Sequence, residues 1–303
     1  MEYNSDLGIT YSKLGDENTK NGNLEKALEY YEKGLKLFKD LYTTNPKAIE
    51  FKNGLAIFTE KIGTTFSKLG NFEKALGYYE KFNQLQKELT ENNPQNETFK
   101  NDLSISFERI ASTYSSLGNL GEALNFYEKF MQHRKHIYES NSKDSESKIM
   151  YSRACGFVGY TYLSLGKPDK ALPIYETQAQ LSKEIFQADT QNVYLKYNTA
   201  VSCQNLGITH NSLGNFEKAQ SFYEKNVQIC NEIYESNRQS VRFKDSLALS
   251  YLHLGVFYIN KDEKSKGRST LQLAENHWTE LIKAFPDDPQ FKHYIEMIKQ
   301  ILA

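Results

Sequence analysis

Small, apolar and aromatic residues return along this chain at fixed places, with polar turns between them. Ala27, Ala75, Ala123, Ala171 and Ala219 stand 48 residues apart, and an aromatic follows each by four positions: Tyr31, Tyr79, Tyr127, Tyr175 and Tyr223. Residues i and i+4 share a helix face, so each pair predicts a helix with one buried stripe. A second pattern runs Leu7-Gly8-x-x-Tyr11, Ile62-Gly63-x-x-Phe66, Ile110-Ala111-x-x-Tyr114, Val158-Gly159-x-x-Tyr162, Leu206-Gly207-x-x-His210 and Leu254-Gly255-x-x-Tyr258. A turn beginning at Gly22, Gly70, Gly118, Gly166 or Gly214 separates the two patterns. A fixed period in this range predicts a solenoid, whose units bury their apolar faces only by stacking on neighbours.

Together these motifs resemble the tetratricopeptide (TPR) signature, in which small residues let two antiparallel helices touch and aromatics fill the gaps. The resemblance implies an all-α, right-handed α-solenoid of about six antiparallel helix pairs. The expected units are about 1–48, 49–96, 97–144, 145–192, 193–240 and 241–288, with a capping helix at 290–302 and one domain over 1–303. The period departs from the family's, which is about 34 residues. Pro46, Pro94 and Pro286 lie seven places late against the family pattern, so each helix gains about two turns. Second helices are expected at about 24–44, 71–92, 119–140, 168–187 and 215–236, and first helices at about 49–69, 97–117, 145–165 and 192–213.

Three places break the pattern. The opening helix is expected to end at Gly15, leaving Asp16–Gly22 as an inserted polar loop. Pro173 should kink its helix or displace its start, whereas Pro168 suits a first turn. At the far end Lys261-Asp262-Glu263 replaces the Gly turn, Gly267 the Ala and Leu271 the Tyr, as an atypical terminal unit would.

Composition narrows the function classes. The net charge is −1, which gives no general pull toward nucleic acid or anionic lipid. No apolar run approaches the length of a membrane span, and the opening residues carry no basic and apolar leader, so a cytoplasmic location is the expectation. Three cysteines do not make a disulfide framework. Cys155 and Cys203 occupy the place of the signature Trp and read, like Cys230, as core filler. His133 and His136 stand i, i+3 apart, but no Cys or carboxylate constellation completes a metal site. With no phosphate loop, dinucleotide turn or nucleophile elbow, neither catalysis nor a cofactor is expected.

Aligned units expose two charged columns. Lys52, Lys100, Lys148, Lys196, Lys244 and Lys292 open the first helices; Asp40, Glu88, His136, Glu184, Glu232 and Glu280 lie near the ends of the second. The two columns read as ion pairs between helix ends. The alternative, a basic stripe for an acidic partner, has acidic neighbours in every unit against it.

The resemblance also implies a binding face, the concave wall of first helices. The position before the signature Leu gives Asp6, Lys61, Arg109, Phe157, Asn205 and His253. Two after it come Ile9, Thr64, Ser112, Tyr160, Ile208 and Val256, and five before it Glu2, Ile57, Ile105, Arg153, Val201 and Leu249. They do not reproduce the Lys/Asn clamp by which some TPRs hold a peptide carboxylate. The first half is polar and basic, through Lys61, Lys68, Arg109 and Arg153. The second is apolar, through Phe157, Tyr160, Leu163, Ile208, Leu252, Val256 and Ile259. Such a wall is either a docking groove for a helix or extended peptide or a face buried by tight curvature.

The expected function is a noncatalytic interaction scaffold for a protein or peptide. A second possibility is a regulatory array acting on a separate enzyme, because the long unit looks like arrays in bacterial multidomain proteins joined to caspase-like peptidase or nucleotide-switch domains. A helical-repeat RNA binder would need a basic wall and recurrent base-reading pairs.

Overall fold

The computed structural model describes residues 2–142 and 144–303, with backbone alone at 2–5. Among these residues every element is a helix. Two compact units divide them, Met1–Ser140 and Asn141–Ala303. The first holds α1 (Glu2–Lys20), α2 (Leu24–Thr44), α3 (Ile49–Lys68), α4 (Phe72–Asn92), α5 (Glu97–Ser116) and α6 (Leu120–Ser140). The second holds α7 (Ser145–Ser164), α8 (Pro168–Ala188), α9 (Val193–Ser212), α10 (Phe216–Ser236), α11 (Val241–Asn260), α12 (Lys264–Ala284) and α13 (Pro289–Leu302). Within each unit every helix packs on the next in chain order, as in an α-solenoid.

The boundaries have local causes. After α3 the chain turns through Gly70 at φ 74°, where Asn71 N donates to Phe66 O at 2.9 Å and Gly70 N to Ser67 O at 3.0 Å. This closes the last carbonyls of the helix, and it needs a left-handed residue that glycine adopts without strain. The same turn recurs after α5, α7 and α9, and after α11 Asp262 takes the glycine's place at φ 62°. Several first helices open on side-chain caps: Asn96 accepts from Phe99 N, Asp144 from Ser147 N and Ser240 from Phe243 N.

The helix-to-helix contact is a glycine against a ring. A Cβ on Gly63 would stand 2.9 Å from the Tyr79 ring, one on Gly159 2.7 Å from Tyr175 and one on Gly207 2.8 Å from Tyr223. Tyr79, Tyr175 and Tyr223 are buried, and Ala75, Ala171 and Ala219 are fully so. At the C-terminal end Trp278 fills this role in another way. It is fully buried, stacks on Tyr294 with centroids 4.5 Å apart, and donates from Nε1 to Asp245 at 2.7 Å.

Three expectations change. The segment Asp16–Lys20 is not a loop but the last turns of α1. Thr19 and Asp16 hold the Tyr31 hydroxyl at 3.2 and 2.8 Å, and Asn18 Nδ2 caps the Leu14 carbonyl at 2.7 Å. With α1 complete, Gly15 rather than Gly8 meets Tyr31, its virtual Cβ 2.2 Å from the ring. The working signature of the first unit is therefore Leu14-Gly15, seven residues beyond Leu7-Gly8. Two helical turns separate the registers, so both place apolar residues on one face, and Gly8 packs against Phe38 instead. Pro173 neither breaks α8 nor delays it: the helix begins at Pro168 and runs through. Near a helix start a proline forfeits only one internal bond, and α7 and α9 pack on both sides.

In the pairs α3–α4, α7–α8, α9–α10 and α11–α12 the charged columns meet as ion pairs. Lys148 reaches Glu184 at 2.8 Å and Lys196 reaches Glu232 at 2.7 Å; Lys52–Glu88 and Lys244–Glu280 are paired likewise. Bonding to lysine holds Glu184, Glu232 and Glu280 below the ordinary carboxylate range, and Glu88 also, against a partial counter-effect of burial.

Candidate partner-binding face

The implied wall consists of first-helix positions, and the two units treat them differently. In unit one the basic residues face acids. Lys61 pairs with Asp16 at 2.5 Å, and its ammonium lies 5.5 Å from the Tyr31 ring centre. Arg109 reaches Glu60 at 3.1 Å. The register of α1 explains the first pair, because Asp16 stands at the wall position that Thr64 holds in α3. Ile9 and Ile57 flank a recess of about 250 Å³ floored by Phe38, where Gly8 and Gly54 leave room for the ring. Asp6 is exposed on α1, and the side chain of Glu2 lies outside the described residues.

In unit two three of the implied residues converge. Arg153 and Phe157 of α7 and Asn205 of α9 line one cavity of about 470 Å³. The Arg153 guanidinium lies over the Phe157 ring at 5.4 Å. The floor comes from α8, through Gln178 and Ser182, and Gly156 and Ser152 complete the α7 side. Asn205 Nδ2 donates to Gln178 Oε1 at 3.0 Å, and the hydroxyls of Ser152, Ser182 and Ser202 form a chain at 3.3 and 3.0 Å. All of Gln178, Ser152, Ser182 and Ser202 are buried.

A second cavity of about 500 Å³ opens along α11, lined by His253, Val256, Leu249, Gln204, Tyr294 and Met297 among others. His253 stacks on Tyr223, centroids 6.4 Å apart, and its Nδ1 is buried with no hydrogen-bond partner among the described residues. Burial pushes its imidazole down to about 4, so the ring is neutral near pH 7. Tyr160 stands apart from both cavities, 63 % exposed on α7. Ile208 packs against Tyr223, Leu254, Phe257 and Tyr258. Other members of the expected apolar wall turn inward: Leu163 packs against the Ala171–Tyr175 cluster, and Leu252 is buried with Ala248 and Leu271. Ile259 covers Gly267.

Segments of the chain match models of one known family. Tetratricopeptide-repeat models match residues 7–41, 106–132, 154–186 and 199–238. The chain carries tetratricopeptide repeats in these segments. Solved structures similar to it include BtubC (BKLC) from P. vanneervenii, 18% identical, covering 85% of this chain and 92% of that one with a TM-score of 0.63. The apo form of the quorum sensor NprR from B. thuringiensis has 13% identity over 97% of this chain and 68% of its own, TM-score 0.60. The S. pombe nuclear import adaptor Nro1 has 14% identity over 98% of each chain, TM-score 0.58. At such identities the likeness is one of fold. No curated protein sequence matches significantly.

The implied positions include Arg153, Phe157, Asn205, His253 and Val256, which line the two cavities, but none of the second-helix residues that floor the first. Gln178 stands where α4 and α6 carry Phe82 and Phe130, and Ser182 where their counterparts are Phe38, Gln86, Arg134, Cys230 and Trp278. Gly156 replaces Glu60, Glu108, Gln204 and Leu252. Those departures were visible in the aligned units, but only a position judged against its neighbours across three helices shows as a hole. Elsewhere the chemistry is structural. His133 packs edge-on to Phe107 at 5.2 Å, and the three cysteines are buried thiols. No group of three or more metal-binding side chains occurs among the described residues, and none of the described helices is long and apolar enough to cross a membrane.

Proposed function

We propose that this TPR chain is a noncatalytic scaffold that captures a protein or peptide segment along the first-helix face of unit two, on α7, α9 and α11. The observation that carries this reading is the state of that face: Tyr160 is 63 % exposed on α7, and two separate recesses open on first-helix positions, one at Arg153 and Asn205 and one at His253 and Val256. A face buried by tight curvature would hide such a ring, and a large aromatic held in water is characteristic of interface anchors. In unit one the corresponding positions are Asp16, Thr64 and Ser112, none of them aromatic, and Asp16 is spent on Lys61. Like the quorum sensor and the import adaptor whose fold it shares, the chain has the architecture of a protein that works by binding.

The test is a random-peptide display library panned against the full chain, with the selected peptides titrated against Tyr160→Glu. The substitution adds charge at an exposed site and leaves the core alone. At least a tenfold loss of affinity is expected, with unchanged circular dichroism. Peptides that bind both forms equally would overturn the assignment of the face.

A further inference from the structure

The cavity between α7, α8 and α9 has a chemistry of its own. Two positions that carry larger side chains in most other repeats are small here, Gly156 and Ser182, and both line the cavity of about 470 Å³. A Cβ on Gly156 would come within 2.7 Å of Gln178 Nε2, so the missing side chain is what gives the Gln178 amide its room. Placing a glutamine at a core position costs free energy unless its amide is satisfied. Only half of it is. Gln178 Oε1 accepts from Asn205 Nδ2, and among the described residues neither Gln178 Nε2 nor Asn205 Oδ1 has another side-chain hydrogen bond.

The remaining pair, one donor and one acceptor side by side, survives any rotation of the amides. If both are turned, Gln178 donates to Asn205, and the free groups become Gln178 Oε1 and an Asn205 N–H. A carboxylate would meet an acceptor at this pair, and an ammonium would meet a donor. A carboxamide matches both at once. The walls supply apolar contact through Ile149, Ile185 and Val201, and the one ionisable lining residue is Arg153, whose guanidinium lies over the Phe157 ring. Resting on the partner face described above, we propose that this recess is a specificity pocket for a neutral carboxamide of the bound segment. Because its floor comes from α8, behind the α7 and α9 surfaces, a glutamine or asparagine side chain reaches it better than an extended main chain does.

The test uses the full chain and three capped tripeptides, Ac-Ala-Gln-Ala-NHCH3 and its Glu and Ala counterparts, followed by NMR of the side-chain amide signals of Gln178 and Asn205. The expected result is a saturable shift of both signals, at least fivefold tighter for the Gln peptide than for the other two. That shift should be lost in Gly156→Gln, which refills the recess with the residue found at position 204. Gln178→Leu removes the amide at nearly constant volume and should abolish the shift as well, which guards against a misfolded first variant. An equally strong response to the Ala peptide would keep the carboxamide and assign it to the main chain. Tighter binding of the Glu peptide, or no saturable shift with any of the three, overturns the proposal. Selected peptides that lose binding in Tyr160→Glu but not in Gly156→Gln would remove the pocket and leave the partner face standing.

Discussion

The first-helix faces of the two units are built from the same repeat and end in opposite conditions. In unit one the charges close on themselves: Lys61 on Asp16, Arg109 on Glu60. In unit two the equivalent positions carry Phe157, Tyr160, Asn205 and Ile208, and the second helix behind them is hollowed at Ser182 and made polar at Gln178. The glycine-against-tyrosine contact is the same in both. The repeat thus separates two tasks. Columns that face the next helix are held constant because a wrong volume there costs stability at once. Columns that face the groove vary, and their variation decides whether polar groups are consumed internally or left for a ligand.

The largest effect should test the part of the comparison that claims identity. Tyr79→Ala and Tyr175→Ala each empty a buried ring site, and each should cost roughly 3–5 kcal/mol in urea unfolding. Costs differing by more than about 2 kcal/mol would break the claim that both units share one scaffold.

Exchanging the floor residues comes next. Phe82→Gln in unit one should cost about 2–4 kcal/mol, from lost apolar burial and an unpartnered amide. Gln178→Phe in unit two has an adjacent cavity to relax into and should change stability by about 1 kcal/mol or less. Symmetric costs would show that the hollow in unit two has no energetic consequence.

A pH series probes what the units hold in common. The folded-state carboxyls of Glu88, Glu184, Glu232 and Glu280 are depressed, so their contribution is fully present above the free glutamate value of about 4.3 and is lost as pH falls through the lower folded values. Each pair is open to water on its glutamate side and worth roughly 0.2–1 kcal/mol. Lys52→Met in unit one and Lys196→Met in unit two should therefore flatten the acid limb of the stability profile to a similar, small extent. A steeper limb in either variant would reverse the sign of the argument.

The smallest effect lies at the one turn that lacks glycine. Asp262 sits at φ 62° where the others have Gly22, Gly70, Gly118, Gly166 and Gly214. Asp262→Gly should raise thermal stability by about 1 kcal/mol or less, and Gly214→Ala should lower it by a similar amount. No gain at Asp262 would mean that its side chain compensates for the strain.

Much of this was legible in the chain alone. Ala, Tyr and Gly at fixed spacing placed most helix boundaries within a residue or two, since capping, turn chemistry and the i, i+4 stripe are short-range effects. Ion pairs between columns followed from the antiparallel geometry of a helix pair. The register of α1 did not follow: Leu7-Gly8 and Leu14-Gly15 differ by two turns, and periodicity is blind to such a shift. Contact with Tyr31, and the Asp16 pairs that only a completed helix can make, selected the second.

What the sequence determined by itself was the repeat, the helices and the faces they bury, because these depend on residues close along the chain. What only the tertiary structure decided was which wall residues are spent and which are available. Lys61 lies 45 positions from Asp16, and Gln178 lies 27 from Asn205. The recess beside Gly156 exists only where α7, α8 and α9 come together. Satisfaction of a buried polar group is settled among neighbours in space, and periodicity along a chain carries no record of it.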